Sequence, residues 1–291
     1  KDYPAIYAVP KEIKDKETVS ELLAPILALK KESLDNSLDN PDLLFRLLAE
    51  KVSLKTISAV EELRLPGIYA TKKQHRFYPF GELASQVIGF VGLNKNHSEP
   101  TGLYGAEKEF EADLKNGKDI HLSIDRNIQA QAEESLKNLI ETHSASAGTV
   151  IVENPKTGKI LAFANAPAFD PNSYNKFPIG DFIDSGIQSV YEPGSVFKPL
   201  TMAAGIEAGK ITSETTFFDS GSITLNGKEI TNWDGKAHGK VTMTNVIEQS
   251  INTGAVFAVQ KIGLEPFLNF LKKMGLGEKT GIDAPDEAAG S

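Results

Sequence analysis

Apolar residues near the start of the chain recur with the period of an α-helix. Five of them fall on one face at intervals of three and four: Leu22, Leu23, Ile26, Leu27 and Leu29. A similar set follows Asn40-Pro41, a dipeptide that favours a helix start: Leu43, Leu44, Leu47 and Leu48. A third helix is predicted from about Leu54 to Leu63, where a Pro-Gly turn ends it and an extended segment begins at Ile68. The first part of the chain is therefore predicted to be mainly helical.

Residues 76–118 are predicted to join two domains. Apolar residues run through 87–92 and glycines punctuate 102–107, a pattern typical of a strand and turns in a connection. We therefore expect one domain over residues 1–117 and a second over residues 118–291.

The second part of the chain mixes strand and helix patterns. Residues 120–124 alternate like a strand, and Asp125 is predicted to cap a helix with four apolar positions: Ile128, Ala132, Leu136 and Ile140. Strands over 148–152 and 160–163 are predicted to form a hairpin around a turn at 154–158. Helices dominate after residue 172, except for a small β segment near 217–231. The pattern indicates a sheet with helices on its faces, in an α/β or α+β fold.

Composition excludes several kinds of chemistry. The formal net charge is −8 and no run of Lys or Arg appears, so we do not expect nucleic-acid binding. The chain has no cysteine, which excludes disulfides and thiolate sites. No metal-ligand spacing links the five histidines: His75, His97, His121, His143 and His238. No run of about 18 apolar residues, the length needed to span a membrane, is present. The chain starts at Lys1 without Met, so we expect it to be an excised portion of a longer protein.

The most informative segment is 192–199, which carries a serine and a lysine between two prolines. A proline costs about 3 kcal/mol inside a helix but is tolerated in the first turn. The apolar pattern after Pro199 predicts a helix, and Pro193-Gly194 prevents its extension backward. The helix must therefore begin close to Ser195.

This position would place Ser195 at the positive end of the helix dipole, with Lys198 on the same face. A serine needs a neighbouring base to become a nucleophile, and a lysine can serve if burial lowers its pKa. Val196, Phe197 and the helix body could supply that burial. The alternative is that Ser195 is only an N-cap and Lys198 a solvated residue.

A second element, Ser250-Ile251-Asn252, is predicted on a connection between a helix that ends near Gln249 and one that starts after Gly254. A hydroxyl and a carboxamide two residues apart can point into one cleft and relay a proton. Helix capping is the alternative, and Ser173-Tyr174-Asn175 repeats the pattern in a predicted loop.

Together these residues resemble the penicillin-binding proteins, whose signature combines Ser-x-x-Lys, Ser-x-Asn and Lys-Thr-Gly. The matching segments of the second part are Pro193-Gly194-Ser195-Val196-Phe197-Lys198-Pro199, Ser250-Ile251-Asn252-Thr253-Gly254, Ala164-Asn165-Ala166-Pro167 and Phe169-Asp170-Pro171-Asn172. Three upstream segments resemble the pedestal and hinge of class B members, nearest to the division-type branch: Leu65-Pro66-Gly67-Ile68, Arg76…Tyr78-Pro79 and Gly102…Gly105-Ala106-Glu107. The implied fold is α+β, with a helical and extended pedestal before an antiparallel sheet flanked by helices.

The resemblance also implies an activity, a D,D-transpeptidase without metal or cofactor. Ser195 would be acylated by the D-Ala-D-Ala end of a peptidoglycan stem peptide, or by a β-lactam, with Lys198 as base. Ser250 and Asn252 would assist proton transfer and substrate placement, and the Ser195 amide would give half of an oxyanion hole. The implied location is the outer face of the bacterial cytoplasmic membrane, on an N-terminal anchor absent from this chain, with envelope or divisome proteins bound through the pedestal.

One part of the signature departs from this pattern. Lys-Thr-Gly occurs at 156–158, in the predicted hairpin turn, and at 279–281, soon after Asn252. Neither position suits the catalytic triplet, which lies on a strand well downstream in the family, so we expect the transpeptidase domain of this chain to be incomplete. The alternatives are a serine β-lactamase or β-lactam sensor that uses the same residues, and a non-catalytic scaffold of an envelope complex.

Overall fold

A computed structural model describes residues 1–39, 44–93 and 99–290. The chain forms two compact units. The first contains Lys1–Gly81 and Asp170–Tyr174, and the second contains Glu82–Phe169 and the chain from Asn175 onward.

The first unit is a three-stranded antiparallel sheet with helices packed on it. Its elements, in chain order, are β1 (Asp2–Ala8), α1 (Lys16–Leu27), α2 (Lys31–Leu38), β2 (Arg46–Glu50), α3 (Leu54–Glu62) and β3 (Ile68–Gln74). Strand β1 lies in the centre, between β2 and β3, and Ile6 on β1 is fully buried against Leu23, Leu34 and Leu38 of α1 and α2.

The sequence predictions for this unit are partly confirmed. Helices α1 and α3 and the extended segment at Ile68 are present. The predicted helix over residues 43–48 is wrong, because Arg46–Glu50 pairs with β1 as a strand and Leu44 is 79% exposed. Asn40, Pro41 and Leu43 lie outside the described residues. The spacing of apolar residues did not indicate strand β1. Pairing with this strand outweighs the helical period of residues 43–48.

The second unit begins with short elements and continues into a hairpin, a helical core and small β ribbons. Its first elements are α4 (Ser85–Ile88), β4 (Val91–Leu93), β5 (Pro100–Gly102), α5 (Gly105–Glu109), α6 (Glu111–Lys115), α7 (Arg126–His143), β6 (Gly148–Asn154), β7 (Lys159–Ala166) and α8 (Ser185–Gln188). The remaining elements are α9 (Lys198–Glu207), β8 (Thr216–Asp219), β9 (Ser222–Leu225), β10 (Lys228–Thr231), β11 (Gly239–Thr242), α10 (Met243–Glu248), α11 (Asn252–Ile262) and α12 (Leu264–Lys273).

Helix α7 packs on the β6–β7 hairpin, as the sequence predicts. Asp125 caps the helix by accepting from the amides of Asn127 and Ile128, and Ala132 and Leu136 are buried against β7. The predicted strand at 120–124 is wrong. Instead of a strand ladder, two separate hydrogen bonds link this part of the chain to β7. Ser123 Oγ donates to the Ile160 carbonyl, and the Asp125 amide donates to the Leu161 carbonyl. The apolar run at 87–92 is divided between the end of α4 and strand β4.

A separate core holds the helices that carry the candidate site. Met202 of α9, Val246 of α10 and Ala258 of α11 are buried together, and Ile251 between α10 and α11 is fully buried. The predicted small β segment is present as β8, β9 and β10. Within the ranges described, no helix combines the length and apolarity required to cross a membrane.

Candidate active site

Ser195 lies in the turn that leads into α9. Pro193 is helical and Gly194 has a φ of +62°, a left-handed conformation that glycine adopts without strain. A 3₁₀ turn over Gly194–Phe197 then passes directly into α9, whose second residue is Pro199. The prediction that a helix begins close to Ser195 is confirmed, and the exposed Ser195 side chain stands at its positively polarised end.

Lys198 is only 7% exposed, and its amine lies among four oxygen atoms. The distances from Nζ are 3.2 Å to Ser195 Oγ, 2.6 Å to the Ser250 carbonyl, 2.9 Å to Ser250 Oγ and 2.7 Å to Asn252 Oδ1. The expectation that Val196 shields this lysine is wrong, since Val196 is 74% exposed. The structure therefore brings all four predicted site residues together around one nitrogen.

Burial makes the neutral amine of Lys198 more accessible than that of a solvated lysine. Burial lowers the pKa of Lys198 below its ordinary value, and no carboxylate forms an ion pair with it among the described residues. A neutral amine can donate to the Ser250 carbonyl and to Asn252 Oδ1, the two nearest oxygens, which only accept. Its lone pair then remains available for a serine hydroxyl proton. The arrangement therefore suits a base.

Ser250 reaches the amine through an unusual backbone conformation. Its φ is +55°, in the left-handed region that non-glycine residues seldom occupy. The buried Ile251 anchors the next position. Asn252 is the first residue of α11 rather than part of the connection, so the helix starts three residues earlier than predicted. Strained residues of this kind are common at functional sites.

The two serine hydroxyls are also in contact. Ser250 Oγ lies 2.9 Å from Ser195 Oγ, so the two hydroxyls and the Lys198 amine form a closed triangle. A proton removed from either hydroxyl can pass to the amine directly or through the other serine. Chemically, this arrangement can activate Ser195 as a nucleophile and return the proton to a leaving group.

The other sequence candidates lie elsewhere. Residues 156–158 form the β6–β7 turn, as predicted, and residues 279–281 form a loop whose amides at Thr280 and Gly281 donate to Glu287. Ser173 has a non-helical backbone conformation and lies at a kink between two 3₁₀ turns within Pro171–Lys176. Neither Lys-Thr-Gly triplet has a described hydrogen bond to the four site residues.

The histidines form no second site in the described part of the chain. The ring of His238 lies near Asp234, with 3.3 Å between Nε2 and Oδ2, and His97 is outside the described residues. Groups of three or more metal-ligating side chains are absent from the described ranges.

Sequence reasoning missed two buried residues behind Asn252. Asp219 and Asn232 hydrogen-bond to the start of α11, and both belong to the small β region. A single Asp and a single Asn separated by 13 residues form no motif. The only available signal was that polar residues occur among apolar strand positions.

Comparison with known families assigns both halves of the chain. Residues 1–152 match the penicillin-binding protein dimerisation domain, and residues 148–291 match the penicillin-binding protein transpeptidase domain. The four residues around the Lys198 amine all fall in the second match.

Curated relatives resemble the chain along its whole length. Stage V sporulation protein D of Bacillus subtilis is 28% identical over 100% of this chain and 49% of its own. The probable peptidoglycan D,D-transpeptidase PenA of Neisseria meningitidis is 28% identical over 98% of this chain and 53% of its own. The peptidoglycan D,D-transpeptidase FtsI of Escherichia coli is 26% identical over 98% of this chain and 53% of its own. The chain spans about half the length of these relatives. Because the dimerisation and transpeptidase matches together cover the chain, the chain belongs to the class B penicillin-binding proteins.

Proposed function

We propose that this chain carries the acylating machinery of a peptidoglycan D,D-transpeptidase, with Ser195 as its nucleophile. The observation that carries the proposal is the position of the Lys198 amine, which lies 3.2 Å from Ser195 Oγ and is buried without a carboxylate partner in the described residues. The names of two relatives, PenA and FtsI, state the same activity for those proteins.

In the first step, Ser195 Oγ attacks the carbonyl carbon between the last two residues of a stem peptide that ends in D-Ala-D-Ala. Neutral Lys198 takes the hydroxyl proton as the C–O bond forms. The C–N bond then breaks, and the terminal D-alanine leaves as an amine after it receives a proton from Lys198 through Ser250. Asn252 holds Lys198 in place and contacts the substrate amide. The product is an ester of Ser195.

In the second step, an amine of a neighbouring stem peptide attacks the ester. It loses a proton to the site and forms the new amide bond, and Ser195 regains its hydroxyl proton. The Ser195 amide stands at the start of α9, where it can donate to the oxygen that becomes negative in both steps. A β-lactam would acylate Ser195 by the first step alone, because its leaving group stays attached.

The proposal is tested by mass spectrometry after mixing with a labelled penicillin. We expect one adduct per chain, located on Ser195, and none on Ser195→Ala. Ser173→Ala is the matched control, since it removes a serine of the other Ser-x-Asn sequence, and it should react normally. An adduct lost within minutes would indicate a β-lactamase. No adduct in this chain and in the product of its complete gene would contradict the proposal and favour a scaffold.

We further propose the setting in which this chemistry operates. The enzyme acts at the outer face of the cytoplasmic membrane on an N-terminal anchor, with residues 1–117 as a pedestal that binds envelope proteins and 118–291 as transpeptidase domain. The pedestal resemblance favours the division-type branch. Depletion of the protein should then block septation and produce filaments, whereas rounded cells would indicate the elongation branch.

A further inference from the structure

Asp219, at the end of β8, is a fully buried carboxylate with four hydrogen-bond donors around it. Its Oδ1 accepts from Thr253 Oγ1 at 2.6 Å and from the Gly221 amide at 2.9 Å. Its Oδ2 accepts from Asn232 Nδ2 at 2.8 Å and from the His238 amide at 2.9 Å. Burial raises the pKa of Asp219, but these bonds outweigh it and hold the pKa below its ordinary value. The four donors therefore all favour the ionised form of Asp219.

Asn232 connects this carboxylate to the start of α11. Its amide nitrogen donates to Asp219, which fixes the orientation of the side chain. Its Oδ1 accepts from the backbone amides of Asn252 at 3.1 Å and Thr253 at 3.3 Å, the first two of the helix. The N-cap residue of α11 is Ile251, whose side chain cannot accept a hydrogen bond. Asn232 thus caps the helix from a distant part of the chain.

The same region holds the site segment at two further points. Asn252 Nδ2 donates to the Thr231 carbonyl at 2.8 Å, which leaves Asn252 Oδ1 to face the Lys198 amine at 2.7 Å. The ring nitrogen of Trp233 donates to the Gln249 carbonyl at 3.1 Å, next to Ser250. Residues 231–233 therefore hold the chain at Gln249 and at Asn252, one on each side of Ser250 and Ile251.

We infer that Asp219, Asn232 and Thr253 are positioning residues, which hold Ser250 and Asn252 against Lys198 and thereby keep its amine in the geometry of a base. The expected effect on acylation rests on the proposed function. The effect on the Lys198 amine does not, because its titration can be measured without any reaction. Asp219 acts through Asn232, and neither residue contacts the reacting hydroxyl among the described hydrogen bonds.

The key variant is Asp219→Asn. An amide in place of the carboxylate turns its NH₂ group either toward Asn232 and the His238 amide or toward Thr253 and the Gly221 amide, and loses acceptors for them. We expect Asn232 or Thr253 to shift as a result. Water then reaches Lys198, and its pKa rises toward the ordinary value. We expect acylation by labelled penicillin at neutral pH to slow by at least about ten-fold, and the pH profile of acylation to shift upward.

Thr253 gives a milder pair of variants that does not depend on the folding of Asp219→Asn. Thr253→Val removes the hydroxyl that donates to Asp219 at nearly constant shape, whereas Thr253→Ser keeps it. We expect Thr253→Val to shift the pH profile of acylation in the same direction as Asp219→Asn. Thr253→Ser should have the profile of the unmodified protein.

The titration of Lys198 provides a readout that does not require acylation. Carbon-13 labelled lysine side chains can be followed by NMR, with the Lys198 signal assigned by its loss in Lys198→Arg. We expect its titration midpoint to rise in Asp219→Asn and Thr253→Val and to remain unchanged in Thr253→Ser. Leu136→Ala is the matched control, because it destabilises the same unit in the α7 core without touching the network.

Two results would overturn the inference: an unchanged Lys198 midpoint in both Asp219→Asn and Thr253→Val, or an equal shift in Leu136→Ala. The outcomes for the two proposals are separable. A midpoint that shifts as expected in a protein that never forms a penicillin adduct would support the positioning network and reject the acylation chemistry.

Discussion

At the scale of single residues, the site depends on a lysine that has been made less basic. A lysine in water is protonated at neutral pH and has no lone pair for a hydroxyl proton. Burial removes hydration from the ammonium of Lys198, and the surrounding oxygens come from two hydroxyls, a carbonyl and a carboxamide rather than from carboxylates. The neutral form therefore becomes accessible at a pH lower than usual.

This environment predicts the pH dependence of acylation. Because only the neutral amine can accept the Ser195 proton, the rate should rise with pH and level off above the lowered pKa of Lys198, before the pKa of an exposed lysine is reached. Lys198→Arg should abolish the reaction, since a guanidinium stays charged. The measurement is the rate of penicillin labelling from pH 5 to 10. A rate that is flat over this range in the unmodified chain would contradict the role of base.

A second residue-scale prediction concerns Asp184, a carboxylate that lines a cavity of about 430 Å³. Burial raises its pKa from 3.8 to about 6, against hydrogen bonds from Asn165 and Gly186. The folded state therefore holds the proton more tightly than the unfolded state, so stability falls as pH rises from about 4 through 6. Between pH 4 and 7.5 the free energy of unfolding should fall by about 2 kcal/mol relative to Asp184→Asn, an isosteric neutral variant.

Urea unfolding of both proteins at the two pH values checks this prediction. Asp184→Asn should keep the bond between its Oδ1 and Asn165 Nδ2, which is 3.0 Å long in the unmodified protein. Penicillin labelling should be unchanged, because Asp184 has no contact with the site residues. If the free energy of unfolding changes with pH equally in both proteins, burial does not raise the pKa of Asp184 and the prediction is wrong.

At the scale of elements, the site is assembled from helix starts and the close packing of helices. The 3₁₀ turn before α9 carries Ser195, and α9 itself begins with Lys198. Helix α11 begins with Asn252. Gly254 lets α11 approach α10, since a Cβ there would lie 2.3 Å and 2.8 Å from the two methyl carbons of Val246. The position of Asn252 therefore depends on a small residue two positions later in the helix.

Gly254→Ala tests this close packing. Alanine normally stabilises a helix relative to glycine, but overpacking against the fully buried Val246 should instead destabilise the protein by about 1–3 kcal/mol. We also expect slower penicillin labelling, because displacement of α11 moves Asn252 away from Lys198. Chemical denaturation measures the stability, and the double variant with Val246→Ala is the control. If removing the Val246 methyls restores neither property, the clash is not the cause.

At the scale of the whole molecule, the chain contains two units with separate hydrophobic cores. The core of the first unit is built on Ile6 and Leu23, whereas the four site residues all belong to the second unit. The contacts that define the candidate site therefore involve none of the residues that form the first core.

This separation predicts that damage to the first core leaves the site chemistry intact. Leu23→Ala removes a fully buried side chain and should cost the first unit about 2–5 kcal/mol. Hydrogen exchange followed by mass spectrometry should show faster exchange in β1, β2 and β3 but not in α7 or α11, and Ser195 labelling should keep its rate. Leu136→Ala should instead speed exchange in α7 and leave β1, β2 and β3 protected. Simultaneous loss of protection in both units after either change would contradict this prediction.

Local rules were sufficient for much of the molecule. Asp125 and the apolar spacing after it determine α7, and two prolines with a glycine place a helix start at Ser195. These predictions succeed because capping, proline geometry and helical period act within a few residues. The helix predicted at 43–48 failed because the strand that forms there is selected by pairing with β1, more than 35 residues earlier in sequence.

The amino-acid sequence by itself determined the chemistry available to this protein, namely a serine and a lysine one turn apart and a Ser-x-Asn segment downstream. Only the tertiary structure decided that the two segments meet, that Ser250 turns its carbonyl and hydroxyl toward one amine, and that Asp219 and Asn232 support them from behind. The reason is physical: burial lowers the pKa of Lys198, and burial is a property of the packed helices and strands around it, which no short segment of sequence contains.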